Sequence, residues 1–258
     1  MKPGLLSAIA RFYDINNTKF MLKEFYSGPD DCVAITAEQG SLFAKEVAGD
    51  FNPIHDVDSK RFCVPGDLLF AIVLEKYGLS KTMNFTFTGM LGHDITLDFP
   101  ATDEAQFDIN GSHNKTILKV DRDGERSTDQ AMIDALIRDY VAFSGHNFPY
   151  VLVPLMKKQN GMINLSRPLV IYDSMCLEFK HLNFTHPKVE MLEPELSING
   201  KRGEAHLHFQ IKSDDEVVGS GYKKITITGI REYEEGPMQD FVDNYLARKD
   251  KYLASVAT

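Results

Sequence analysis

Apolar positions recur along the chain in two rounds of the same order: a helix-spaced stretch, then a series of alternating, strand-like stretches. Residues 1–20 show no clean period and are expected to be an N-terminal extension. From 20 to 35 an extended segment is broken by the turn Ser27-Gly28-Pro29-Asp30. Thr36, with Gln39 three residues on, makes a capping box that opens a helix whose apolar face is Leu42, Phe43 and Val47, and Gly49 ends it. Pro65, at or near a first helical position, begins a second helix that is apolar almost all round: Leu68, Leu69, Ile72, Val73 and Tyr77, with Gly78 as its stop. So apolar a helix has to be enclosed by other structure. Strand-like stretches at 84–88, 95–99, 105–109 and 116–120 follow at once. The pattern predicts an α+β unit, a buried helix clasped by a curved antiparallel sheet.

The second round opens with Ser127 and Gln130, again spaced as a capping box, before a helix carried by Met132, Ile133, Leu136, Ile137, Tyr140 and Val141. It ends in Ser144-Gly145-His146-Asn147-Phe148-Pro149, and an apolar segment at 150–156 follows, interrupted by Pro154. Strands are predicted at 169–172, 175–182, 189–196, 205–211 and 216–228. His206 and His208 alternate with Leu207 and Phe209, so they point away from the apolar face and read as solvent-side residues rather than metal ligands. No Gly/Ser or Pro-rich linker parts the rounds. The organisation expected is an internal duplication sharing one continuous sheet: a first unit over 21–125, a second over 126–234, and a C-terminal amphipathic helix within 235–258. Met238, Phe241, Val242, Tyr245 and Leu246 share one face of that helix, which should pack on the body or on a second copy.

A chain of 258 residues with a net charge of −9 and no Lys/Arg clusters argues against nucleic acid or an anionic membrane as partner. Cys32, Cys63 and Cys176 have neither paired nor metal-type spacing, so a reducing cytoplasm is the simplest setting and no metal or other cofactor is expected. Cys63 reads as a structural thiol, with no His near it in sequence to activate it. The longest apolar run, 68–74, is too short to span a bilayer, and residues 1–10 lack a signal-peptide core.

The candidate chemistry lies in Ala48-Gly49-Asp50-Phe51-Asn52-Pro53-Ile54-His55. Gly49 lets the chain leave a helix through positive φ, Asn52 bonds its own backbone readily, and Pro53 stiffens the bend. A stiff bend can hold Asp50 and His55 in the fixed relation that proton transfer needs. Gly-Asp-x-Asn-Pro-x-His resembles the hydratase signature of the MaoC-like hot-dog family, the (R)-specific enoyl-CoA hydratases. The wording around Arg61-Phe62-Cys63-Val64-Pro65-Gly66-Asp67 is similar to a bacterial branch of MaoC-type proteins. The resemblance implies a double hot dog, in which two central helices are wrapped by one curved antiparallel sheet. It also implies a water molecule activated by His55 as base with Asp50 as proton partner, supported by Gly49, Asn52 and Pro53. The oxyanion donor would be the N–H of Gly66 at the electropositive start of the second helix.

Two departures stand beside the resemblance. In the second round the motif Asp becomes His146, Asn becomes Phe148 and the motif His becomes Val151, which implies that only the first unit keeps the chemistry. At the start of the second helix Pro65-Gly66-Asp67 replaces the family's usual His-Gly-Met, and an Asp67 carboxylate facing the pocket would oppose a developing oxyanion. Three functions therefore stay open: hydration or dehydration of an acyl thioester of CoA or acyl carrier protein, non-catalytic acyl-CoA binding or regulation, and acyl-CoA thioesterase activity through Asp67. A fused pair of hot dogs is expected to be a monomer or a homodimer.

Overall fold

The computed structural model describes residues 21–256, so the extension expected at 1–20 lies outside the described residues. The first helix, α1 (Ala37–Phe43), begins where the capping box places it. Thr36 Oγ1 accepts the Gln39 N–H at 3.2 Å and Gln39 Oε1 accepts the Thr36 N–H at 3.1 Å. Thr36→Ala removes one of these reciprocal bonds and is expected to cost about 1 kcal/mol of stability, read as a lower denaturation midpoint. A turn of π-helix over Ala44–Ala48 widens the end of α1, and Gly49 closes it at φ 65°, a conformation that glycine adopts without strain.

Helix α2 (Gly66–Tyr77) starts directly after Pro65, and every residue from Asp67 to Leu74 is buried. Around it lie β1 (Cys32–Val33), β2 (Leu79–Phe87), β3 (Leu97–Asp98), β4 (Gln106–Asn110) and β5 (Thr116–Ser127). The strand expected at 95–99 is only two residues long, because its pairing partners come from the equally short β1 and from one residue of β4. The segment expected to be extended over 20–35 instead holds a short 3-10 turn at Leu22–Glu24 before β1.

Helix α3 (Gln130–Gly145) is capped by Asp129, whose carboxylate accepts the N–H groups of Ala131 and Met132. This corrects the box expected at Ser127: that residue closes β5, and its hydroxyl accepts the Asp129 N–H instead. Helix α4 (Leu152–Lys158) tolerates Pro154 in its first turn, where the missing N–H has no helical partner to lose. Then come β6 (Gly161–Met162), β7 (Val170–Phe179), β8 (Lys188–Met191), β9 (Glu195–Asn199), β10 (Arg202–Ser213), β11 (Glu216–Thr228), β12 (Arg231–Glu232) and a last helix, α5 (Glu235–Val256). The stretches predicted at 169–172 and 175–182 are one strand, β7, which carries an irregularity opposite Lys224 and Ile225. The one predicted at 189–196 is two, β8 and β9, because Pro194 has no N–H for the ladder.

Ten strands join in one sheet in the order β1-β3-β4-β5-β2-β7-β11-β10-β8, with β9 also on β10. The two rounds meet where β2 pairs antiparallel with β7, from Thr82 opposite Glu178 to Thr86 opposite Ser174. Helices α2 and α3 pack against it through the rings of Phe70, Phe85, Tyr140 and Phe209, with centroids 4.9 to 5.6 Å apart. Full burial of each such side chain contributes about 1.5–3 kcal/mol. A smaller core under α4 gathers Leu152, Met156, Leu207, Ile227 and Met238. The architecture is a double hot dog: two helical elements inside one continuous curved antiparallel sheet. In β10, His206 and His208 alternate with fully buried Leu207 and Phe209, facing away from the core as expected.

Candidate active site

Backbone bonding of the motif loop decides where its side chains point. The Asp50 N–H donates to the Ala44 carbonyl at 2.8 Å, tying the loop to the widened helix end. Asn52 donates its N–H to Asp50 Oδ1 at 2.9 Å, and its own Oδ1 caps the short turn Pro53–His55 by accepting the Ile54 N–H at 3.1 Å. Gly49, Asn52 and Pro53 thus shape the bend as the sequence predicts. Asp50 Oδ2 then lies 3.6 Å from His55 Nε2. On the other side of the ring, His55 Nδ1 is 2.6 Å from the Cys63 carbonyl oxygen. A carbonyl can only accept, so Nδ1 carries the proton and a neutral ring presents Nε2 as an acceptor beside Asp50. Burial pushes the Cys63 thiol up to about 11, in keeping with a structural role.

Both groups line one cavity of about 170 Å3, which also reaches Gly66 and Asp67. The Gly66 N–H sits in the first turn of α2, where the helix ladder does not use it. A Cβ on Gly66 would lie 3.0 Å from the Tyr172 ring and 3.2 Å from Phe87, so glycine here makes room for two aromatic walls. A broader depression of about 310 Å3 lies between α3 and β8, lined by Asp139, His146, Tyr150 and Lys188 and sharing Asn147 with the cavity; its acid, Asp139, accepts the Val189 N–H. The motif's second-round counterpart does no equivalent work: His146 Nδ1 bonds the Ala142 carbonyl at the exposed end of α3.

More than half of the lining comes from residues that the motif did not indicate. Gly145 of α3 meets the Ala48 carbonyl so closely that a Cβ would stand 1.8 Å from the oxygen, and this contact brings Ser144 and Asn147 to the cavity. Ser144 Oγ donates to Asp67 Oδ2 at 2.6 Å and accepts from Lys223 Nζ, a residue of β11. Lys223 Nζ is also 4.0 Å from Asp67 Oδ2 and 3.9 Å from the centre of the Tyr172 ring. Burial raises the Asp67 carboxyl above the ordinary carboxylate range, and Lys223 and Ser144 oppose that rise. Burial likewise lowers the Lys223 ammonium, against the pull of Asp67. The charge on Asp67 that the sequence sets against an oxyanion therefore has a cation beside it. Sequence signals for these residues exist: Ser144 continues the stripe Ile133, Leu136, Ile137, Tyr140, Val141, and Lys223 shares strand parity with Ile225 and Ile227.

Helix α5 packs on the body, and Tyr245 reaches the loop from it. Its hydroxyl accepts the Phe51 N–H at 3.0 Å and lies 3.4 Å from Asp50 Oδ1. Burial and Asp50 together push the phenol well up, so it remains a donor. The rings of Tyr245 and Tyr252 pack edge-on against Phe51, and Arg248 pairs with Asp56. Tyr245→Phe keeps the ring and removes the hydroxyl. The expected result is a roughly three- to tenfold fall in kcat with KM unchanged, the loss of one net hydrogen bond to the loop.

Among the described residues no group of three or more His, Cys, Asp or Glu could hold a metal ion, and no helix is long and apolar enough to cross a membrane. Fold and site together define a double hot-dog protein with an acid–imidazole pocket built from both rounds of the chain. The chain belongs to the family described as "Protein of unknown function (DUF3581)", whose model matches residues 20–236. The likeness to MaoC-like hydratases rests on the string Gly49 to His55 and is not what places the chain in this family. No curated protein matches the chain. Solved structures similar to it include a tesB protein of Mycobacterium avium subs paratuberculosis, 6% identical, covering 80% of this chain and 97% of that one at a TM-score of 0.43. Another is an acyl-CoA thioesterase II, TesB2, of Mycobacterium marinum, 9% identical, covering 83% and 99% at a TM-score of 0.38. At these scores the likenesses carry no argument about the site or its reaction.

Proposed function

We propose that the protein adds water across the C2–C3 double bond of a trans-2-enoyl thioester carried on CoA or acyl carrier protein, or removes it in reverse. One observation carries this reading: Asp50 Oδ2 and His55 Nε2 converge at 3.6 Å in one cavity, with the imidazole proton anchored on the far nitrogen. Two acceptors so placed can take both hydrogens of one water and leave its lone pair aimed at C3. As the C3–O bond forms, His55 Nε2 takes a proton from the water. The dyad returns that proton to C2 through Asp50, so the sum is one water added and the dyad ends as it began. The Gly66 N–H, at the positive end of α2, would hold charge on the thioester oxygen. Incubation with trans-2-enoyl-CoA esters of increasing length should bleach the conjugated thioester absorbance and yield 3-hydroxyacyl-CoA. No loss of absorbance at any length refutes the reading.

A second reading, hydrolysis of the thioester, is favoured by one feature: Asp67 faces the same cavity and could direct a water at the carbonyl. Release of free CoA thiol that persists in His55→Ala and disappears in Asp67→Asn would select it over hydration. On either reading the ligand is an acyl thioester. Without turnover of any kind, selective binding of such esters would leave a non-catalytic receptor.

A further inference from the structure

Asp50 and His55 stand toward the open side of the cavity, with side chains 27% and 13% exposed. Beyond them the side chains of Asp67 and Lys223 are 11% and 7% exposed, and Ser144 and Asn147 are buried. An acyl chain held by its thioester at Gly66 and its double bond at the dyad would project toward this inner group. For a plain hydrocarbon tail that group is a poor wall, because polar atoms shut away from water bind best when hydrogen-bonded. Three buried side-chain atoms there have no partner in the protein: Asp67 Oδ1, Asn147 Oδ1 and Asn147 Nδ2. Two accept and one donates.

We propose that this inner end is a subsite for a hydroxyl group on the distal part of the acyl chain. This rests on the reading of the pocket as an acyl-thioester site. A hydroxyl donates one hydrogen, to Asp67 Oδ1 or Asn147 Oδ1, and accepts one, from Asn147 Nδ2, so a single group meets both kinds of unpartnered atom. A carboxylate could not donate and would face Asp67, and a methyl end would leave all three atoms unmet. Ser144 donates to Asp67 Oδ2 and accepts from Lys223, so Oδ1 is the oxygen of that carboxyl left without a hydrogen bond.

The test is calorimetric titration of the full-length protein with two pairs of unreactive saturated esters: 4-hydroxybutyryl-CoA against butyryl-CoA, and 6-hydroxyhexanoyl-CoA against hexanoyl-CoA. The pantetheine amides are common to each pair and cancel. In at least one pair the hydroxylated ester should bind about tenfold tighter, the effect of one or two net hydrogen bonds, and Asn147→Leu should bring that ratio to about one. Equal affinities within both pairs, a preference for the alkyl member, or no binding of any of the four overturns the proposal. So does a preference that survives in Asn147→Leu. The wild-type pairs decide the ligand class without a variant, and Asn147→Ala replaces Asn147→Leu if the latter fails to fold. Hydration of enoyl esters, assayed separately, reports the dyad alone. Turnover with equal affinities refutes the subsite, and selective affinity without turnover refutes the hydratase reading.

Discussion

His55→Ala is expected to lower kcat for enoyl-thioester hydration by about a hundred- to ten-thousandfold, the usual contribution of a placed general base, and Asp50→Asn by a similar factor. Both variants should fold. Neither side chain belongs to the hydrophobic core, and the loop is held independently by the bonds of Asp50 N–H to Ala44 and of Ile54 N–H to Asn52. Combining the two should cost little more than either alone, because groups that act on one water do not contribute additively. Steady-state rates beside melting curves check this. Unchanged rates in folded variants would remove the dyad from the reaction.

Lys223→Met should act on stability instead. Taking away the ammonium leaves the Asp67 carboxyl buried with neutral hydroxyls, Ser144 and Tyr172, beside it and no cation, and removal of one member of a buried pair costs about 3–5 kcal/mol. Asp67→Leu/Lys223→Met, which removes both charges, should recover most of that loss in denaturant titrations. The pH dependence has a definite sign. The folded Asp67 carboxyl already titrates above its ordinary value and would move higher without Lys223. Between the unfolded and folded values the native state then binds more protons than the unfolded chain, so the stability of Lys223→Met falls as pH rises through that window. A variant equally destabilised at acid and neutral pH would show that Asp67 does not feel Lys223.

Local signals in the sequence predict local features well. The Thr36/Gln39 box, the glycine stop at Gly49 and the apolar run of α2 all appear where the spacing puts them, because each depends on neighbours within one or two turns. The misplacements have tertiary causes. Ser127 lost the cap to Asp129 because β2 pairs with β5 as far as Ser127 and keeps that residue extended. Leu97 and Asp98 are the only paired residues of a five-residue stretch because their partners on β1 are few. The motif placed Asp50 and His55 together, but more than half of the cavity lining stayed hidden. Lys223 looks like one of two adjacent surface lysines until strand parity is counted, and Asn147 occupies the second-round position of the apolar Phe51. Tyr245 is visible in sequence only as one apolar position on an amphipathic face, which says nothing of the loop its hydroxyl meets.

Ser144 binds partners 77 residues before it and 79 residues after it in the chain. Contacts of such separation form late, since the loops they close carry the largest entropic cost and are stabilised only once the intervening strands have paired. The motif loop, built from neighbours, can take shape early in folding. The binding chamber cannot exist until β11 has docked between β7 and β10, so a chain stalled before that step would display its acid and its imidazole with no enclosure around them.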